Sequence, residues 1–338
     1  MFRQYLVTGA TGFLGRAVIS VLLKKNMKIR ALVLAGDPLV RDLPGSVEPI
    51  VGDVCDGESL EGFFADADED TCVIHCAGIV SVASNPGEHL YRVNVEGTRI
   101  VLQKCISHHV GKLIYVSSVH AIPEEPKGTE IVETRTFSPT LVWGDYAKSK
   151  AMATNLVLEA AARGLDASIV FPSGIIGPGD AAKGNITRML LSFLSGRLPF
   201  AVRGGYDFVD VRDVARGIIS CAENGEAGQG YILSGHYATI RELLEMVKSE
   251  ANLRQRICCL PIALAKLAAP FYEKYSLRYG KPLYFTPYAV AVLDSNGLFS
   301  HRAAEQAFGY APRPIQVTLR DTVMWLQGGG EPYEKTSD

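Results

Sequence analysis

Three glycines spaced by two residues, Gly9, Gly12 and Gly15, stand between an apolar tetrapeptide and an amphipathic segment, and few folds accept that junction. Tyr5-Leu6-Val7-Thr8 has the content of a short strand, and residues 13–25 read as a helix. Glycine serves where the backbone turns tightly and where main-chain amides must approach a ligand closely. A strand feeding a helix through such a loop is a cradle for a pyrophosphate, set against the positive end of the helix dipole. Thr11, Phe13 and Leu14 lie in the same loop and are counted with the glycines as dinucleotide contacts.

The alternation continues through the first half. Apolar runs at 29–34, 48–51, 72–75, 112–117 and 167–171 read as strands, and 90–109 and 146–163 as helices. Strands this apolar are covered on both faces, so the expected class is α/β, a doubly wound parallel sheet. Ligands of such sheets lie beyond the carboxyl ends of the strands. Residues 172–184 hold two prolines and four glycines and read as a loop crossing to a smaller, mostly helical lobe. Beyond it, 208–211 and 231–233 read as strands returning to the sheet. Helical patterns follow at 240–251, 287–293 and 317–326, and a tail begins at Gly328. The expected division is a Rossmann domain over 1–175, with a return segment near 206–234, and a substrate-binding lobe over 176–338.

Charge and composition exclude several classes. The net charge is −2 and no basic stripe is present, which disfavours nucleic acid. The most apolar stretch, 257–272, contains Pro261, Lys266 and Pro270 and is too short to span a bilayer; contact with a membrane surface is left as an alternative. Seven cysteines without CxxC or zinc-ligand spacing predict reduced thiols, no metal and a cytoplasmic protein. With the glycine motif this early, no cleavable leader is expected.

The chemistry is carried by Tyr146 and Lys150, one turn apart on the expected helix 146–163 and so on one face. An ammonium at that distance lowers the pKa of a phenol, which otherwise titrates near about 10. Ser118, at a strand end, can hydrogen-bond an oxygen whose charge changes during hydride transfer. Asn94 is a further candidate, for a proton relay. His75 is expected in the core.

These pieces, in this order, resemble the extended short-chain dehydrogenase/reductase superfamily. The resemblance rests on Thr8 to Gly15, Gly52-Asp53-Val54, His75-Cys76-Ala77-Gly78, Asn94 to Thr98, Val116-Ser117-Ser118, Tyr146 with Lys150, Pro172 to Gly179 and Phe208 to Ala215. It spans most of the chain to about Gly235. It implies that Gly9, Gly12 and Gly15 line the pyrophosphate, that Asp53 and Val54 flank the adenine, and that Ala77 and Gly78 border the ribose. Pro172, Gly174 and Ile175 then face the nicotinamide. Tyr146 passes the proton, Lys150 lowers its pKa and holds the ribose, and Ser118 orients the carbonyl.

Cofactor choice turns on the end of the second strand, where an NAD site places a carboxylate. The strand ends Val33-Leu34-Ala35, and the first acid, Asp37, comes late. Arg30 and Arg41 are the groups available to a 2′-phosphate, so NADP is expected, with NAD as the alternative.

Within the superfamily, Ser118-Val119-His120 lacks the Thr-Asp-Glu usual in dehydratases. Tyr206 stands before Asp207-Phe208, where sugar epimerases tend to place an arginine for the nucleotide diphosphate. The segment 204–213 is similar to dihydroflavonol-reductase-like and 3β-hydroxysteroid-dehydrogenase-like proteins. That resemblance implies a carbonyl/alcohol oxidoreductase for a bulky apolar small molecule, working as a monomer or homodimer; a nucleotide-sugar epimerase is the alternative. Aromatic residues crowd 271–288, suited to a ring-shaped ligand or to the small lobe's own core.

Overall fold

Short apolar runs build the central sheet of this computed structural model, which describes residues 2–328 apart from 199 and 282. In chain order the strands are β1 (Gln4–Thr8), β2 (Lys28–Val33), β3 (Val47–Val51), β4 (Thr71–His75), β5 (Lys112–Val116), β6 (Ala167–Pro172), β7 (Gly174–Ile176), β8 (Ala201–Val202), β9 (Gly205–Asp210), β10 (Gly230–Leu233), β11 (His236–Thr239) and β12 (Cys259–Leu260). The helices are α1 (Phe13–Lys24), α2 (Glu61–Phe64), α3 (Glu88–Tyr91), α4 (Thr98–Ser107), α5 (Asp145–Ala162), α6 (Asn185–Leu194), α7 (Val211–Asn224), α8 (Ile240–Glu250), α9 (Ile262–Arg278), α10 (Pro287–Asp294), α11 (Arg302–Phe308) and α12 (Ile315–Leu326).

Seven strands form one parallel sheet in the order β10-β6-β5-β4-β1-β2-β3. The pleat sends side chains alternately to two cores. From β1, Tyr5 and Val7 enter the core shared with α1 and α7, and Leu6 the core shared with α4 and α5. The strand order reverses between β1 and β4, which opens a crevice above their carboxyl ends. The expected doubly wound sheet is therefore present.

Two expectations are corrected. Residues 231–233 do return to the sheet, as β10 beside β6, but 208–211 do not. Most of that segment belongs to β9, which pairs with β7 and β11 in a separate three-stranded sheet. Asp207 ties that sheet to the end of β6, accepting hydrogen bonds from the Ser173 hydroxyl and the Gly235 amide. The helix expected over 90–109 is interrupted by a π-helical turn, Arg92–Gly97, between α3 and α4. The turn presents Asn94 to the loop after β4 and packs Gly97 on Val54, where a Cβ would come within 2.8 Å of a Val54 methyl. The tail after Gly328 lies outside the described residues.

Candidate active site

The glycine loop leaves β1 at Gly9, whose φ of +65° places it in the left-handed region that favours glycine. A Cβ on Gly9 would meet the Ala77 amide nitrogen at 2.8 Å, so this glycine seats the loop against the end of β4. A Cβ on Gly15 would lie 2.1 Å from the Gly9 carbonyl oxygen, so this one closes the loop on its own helix. Gly12 differs. It caps α1 with no side-chain hydrogen bond, and a Cβ there would meet only the Gly9 oxygen, at 3.1 Å. The first amides of α1 thus lack a side-chain cap at a point open to an incoming group. That is the chemistry a pyrophosphate requires, and these residues fit a dinucleotide.

The second half of the site comes from β5 and α5. Ser118 follows β5, and Tyr146 and Lys150 share a face of α5; all three are buried. The Ser118 side chain stands against the Tyr146 phenol, its hydroxyl accepting from the His120 amide at 3.3 Å, and the Lys150 ammonium donates to the Val116 carbonyl at 2.8 Å. Gly78 joins them: a Cβ there would sit 3.4 Å from Lys150 Nζ and 3.2 Å from Asn94 Oδ1. Ala77, Gly78, Ser118, Tyr146 and Lys150 therefore meet at the crevice, next to the glycine loop.

The electrostatics depart from one expectation. Burial pushes the Tyr146 phenol above its ordinary value, and the Ser118 hydroxyl beside it pulls it back only in part. Lys150 does not set the direction. It is itself pushed down to about 8 by burial, with its ammonium spent on Val116. At neutral pH the phenol holds its proton.

Asn94 is placed beside the group without touching the phenol. Its amide accepts from the Ile79 N–H at 2.7 Å and donates to the Ile79 carbonyl and to Ser149 Oγ at 3.0 Å. It pins the loop after β4 to α5, which is a positioning role. His75 is buried between the Thr8 and Thr98 hydroxyls, and burial pushes it down to about 3.

The remaining expected residues divide. Pro172 ends β6, and Gly174 and Ile175 form β7 beside Tyr206, where a Cβ on Gly174 would meet the Tyr206 ring at 3.0 Å. The Asp53 carboxylate caps its own turn by accepting from the Cys55 amide, and Val54 is buried under Gly97. Arg30 is corrected. Its buried guanidinium pairs with Glu48 at 3.0 Å and donates to the Phe63 and Ala65 carbonyls beside α2, which takes it away from any 2′-phosphate. Arg41 is exposed on the short helical turn Pro38–Asp42. Asp37, set aside for coming late, is instead at the glycine loop: the Thr11 hydroxyl donates to its carboxylate at 2.6 Å. The turn Leu34 to Asp37 folds back, which spacing along the strand does not reveal.

Sequence reasoning missed an aromatic wall around Tyr146. His120 stacks on Tyr206 with ring centroids 5.5 Å apart and accepts or donates a 2.9 Å hydrogen bond at its hydroxyl. The His120 ring also meets Tyr146 edge-on at 5.8 Å and Tyr288 at 5.9 Å. Tyr288, on α10, packs flat against Gly144, where a Cβ would lie 2.3 Å from the ring. The available signal was Gly144 itself, a glycine directly ahead of the α5 that carries the tyrosine.

The model of the NAD dependent epimerase/dehydratase family matches residues 5–234. Sterol demethylase protein B of Methylococcus capsulatus is 30% identical over 334 residues, covering 96% of this chain and 98% of that protein. A putative dihydroflavonol 4-reductase of Synechocystis is 30% identical over 344 residues, covering 98% and 96%. Among solved structures, gox2253 superposes with a TM-score of 0.84 at 31% identity, covering 97% of this chain and 100% of that one.

Proposed function

Since the chain belongs to the NAD-dependent epimerase/dehydratase family of extended short-chain dehydrogenases/reductases, we propose that it interconverts a carbonyl and a secondary alcohol on a bulky, apolar small molecule. One observation carries the reading: Tyr146, with Ser118 against it, is walled by Tyr206, Tyr288 and His120. Aromatic faces offer area and dispersion to a ring system, whereas a nucleotide sugar brings a diphosphate that needs cationic partners. Two relatives bear names of sterol and flavonoid enzymes, which are ring systems of this kind.

A bound nicotinamide supplies or accepts the hydride. The chain's own residues handle the rest. Ser118 holds the substrate oxygen by hydrogen bond, and Tyr146, protonated at neutral pH, delivers the proton as the carbonyl is reduced. Lys150, one turn along α5 from Tyr146 and held by Val116, borders the loop at Gly78, where it would hold the nicotinamide ribose. Asn94 fixes the loop that borders Lys150.

For the cofactor, the placement of Asp37 against Thr11 favours NAD over the NADP expected from sequence. A carboxylate there accepts from a ribose 2′-hydroxyl and repels a 2′-phosphate.

The test is fluorescence titration with NADH and NADPH, followed by a panel of 3-ketosteroids and flavonoid ketones at 340 nm. Stoichiometric loss of absorbance on a ketone supports the reductase. A tightly retained oxidised cofactor with no turnover on any ketone favours the epimerase. Tyr146→Phe is expected to abolish turnover while leaving dinucleotide affinity within about twofold, since the phenol acts on the proton alone; retained activity refutes the assignment.

A further inference from the structure

Helix α9 is built inside out. Its buried positions are Ala265, Ala269, Glu273 and Ser276, two small residues and two polar ones. Ile262 and Tyr272 pack inward in part, but most of its large apolar side chains point to solvent: Leu267 is 70% exposed and Phe271 74%, with Leu264 and Tyr275 also exposed. Positions 264, 267, 271 and 275 follow helical spacing, so these four form one continuous outward stripe. An ordinary surface helix has the opposite arrangement, and exposed stripes of this size mark contact surfaces. Pro270 sits within the helix without reversing the pattern.

The charge around the stripe identifies its partner. The chain as a whole carries −2, yet residues 254–281 hold six Lys and Arg against a single Glu. That Glu is Glu273, turned inward and bound to the Ser84 amide and hydroxyl. Lys274, Arg278 and Lys281 are exposed along the end of the stripe. No helix among the described residues is long and apolar enough to cross a membrane.

We propose that the outward face of α9 docks on an anionic phospholipid surface. Leu264, Leu267, Phe271 and Tyr275 enter the boundary between headgroups and acyl chains, and Lys274, Arg278 and Lys281 meet lipid phosphates. The docked helix is joined to the candidate site. Glu273 holds Ser84, and the Thr286 hydroxyl ahead of α10 donates to the Val82 carbonyl, so both ends of the α9–α10 unit grip the loop that starts at Gly78 beside Lys150. An apolar substrate dissolved in the bilayer then lies close to the mouth of the site. Only this last consequence rests on the function proposed above; the docking itself does not.

The experiment is co-sedimentation of the full chain with vesicles of pure phosphatidylcholine and of phosphatidylcholine with 30 mol% phosphatidylglycerol. The expected result is binding to the anionic vesicles at least tenfold tighter than to the neutral ones, because each cation near such a surface contributes about fivefold. Leu267→Glu/Phe271→Glu is expected to lose that binding while keeping the wild-type melting temperature, since both side chains are exposed. Lys274→Glu/Arg278→Glu is expected to weaken it about tenfold or more and to remove its salt dependence. Equal binding to both vesicles, no binding, or unchanged binding by the Leu267/Phe271 variant overturns the proposal. Light scattering on the soluble chain closes the remaining route: a dimer that the same variant dissociates shows the face to be covered by a second copy, and also overturns it.

Discussion

Replacing Tyr288 by phenylalanine is expected to stabilise the protein, an uncommon direction for a change in a buried wall. The Tyr288 hydroxyl is buried, and no described residue hydrogen-bonds it. A buried polar group left unpaired costs about 1–3 kcal/mol. Phenylalanine keeps the ring, with its stacking on Trp143 at 5.5 Å and its seat on Gly144, and deletes only the oxygen. The cavity left is about one atom, worth a few tenths of a kcal/mol at about 24 cal/mol per Å³. The net gain is about 1–2 kcal/mol. At about 2.1 cal/mol/K per residue, the unfolding entropy of a chain this long converts that into a rise of about 1–3 °C. Tyr206→Phe provides the mirror image. Its hydroxyl is bonded to His120 Nε2 at 2.9 Å, so the same deletion strands a ring nitrogen and is expected to lower the melting temperature by a similar amount. Differential scanning calorimetry on both variants decides the matter. A fall for Tyr288→Phe, or shifts of the same sign in the two, refutes the reasoning.

The second and third glycines of the loop are expected to fail differently. Gly12→Ala should fold with near-normal stability yet bind dinucleotide at least about tenfold more weakly by titration, whereas Gly15→Ala, with its Cβ 2.1 Å from the Gly9 oxygen, should lower the melting temperature by several degrees. Asp37→Asn should raise the NADPH affinity relative to NADH by about tenfold, since it removes a like charge; an unchanged ratio argues that Asp37 serves only to cap its turn. His75, pushed down to about 3, binds no proton in the fold down to that pH, while the unfolded chain takes one up below about 6.5, so stability is lost as pH falls from 6.5. Asp207, pushed up to about 6, works with the opposite sign between its ordinary range and that pH. Urea midpoints from pH 7 to 4 should therefore fall less steeply for His75→Gln and more steeply for Asp207→Asn.

What the sequence made legible was local. Gly9, Gly12 and Gly15, the apolar strands and the i, i+4 pair of Tyr146 and Lys150 obey spacing rules that act over a few residues, and the parallel sheet follows from them, whereas Ser118 joins the pair only through the family resemblance. The misses are tertiary. Arg30 read as free because Glu48 and the carbonyls of Phe63 and Ala65 that hold it are remote in sequence, and no periodicity announces them. Asp37 read as too late because distance along an extended strand overlooks a turn. Tyr206 is the most instructive case. It was legible only as the absence of an arginine, yet its hydroxyl binds His120 and its ring stacks on it, so an aromatic wall stands where a diphosphate clamp was sought. Helix α9 failed in the reverse sense: its leucines and phenylalanine carry the composition of a core and face solvent. Local rules are kept wherever they serve folding alone. They break at the wall around Tyr146 and on the outer face of α9, the two places for which we propose a molecule other than the chain itself.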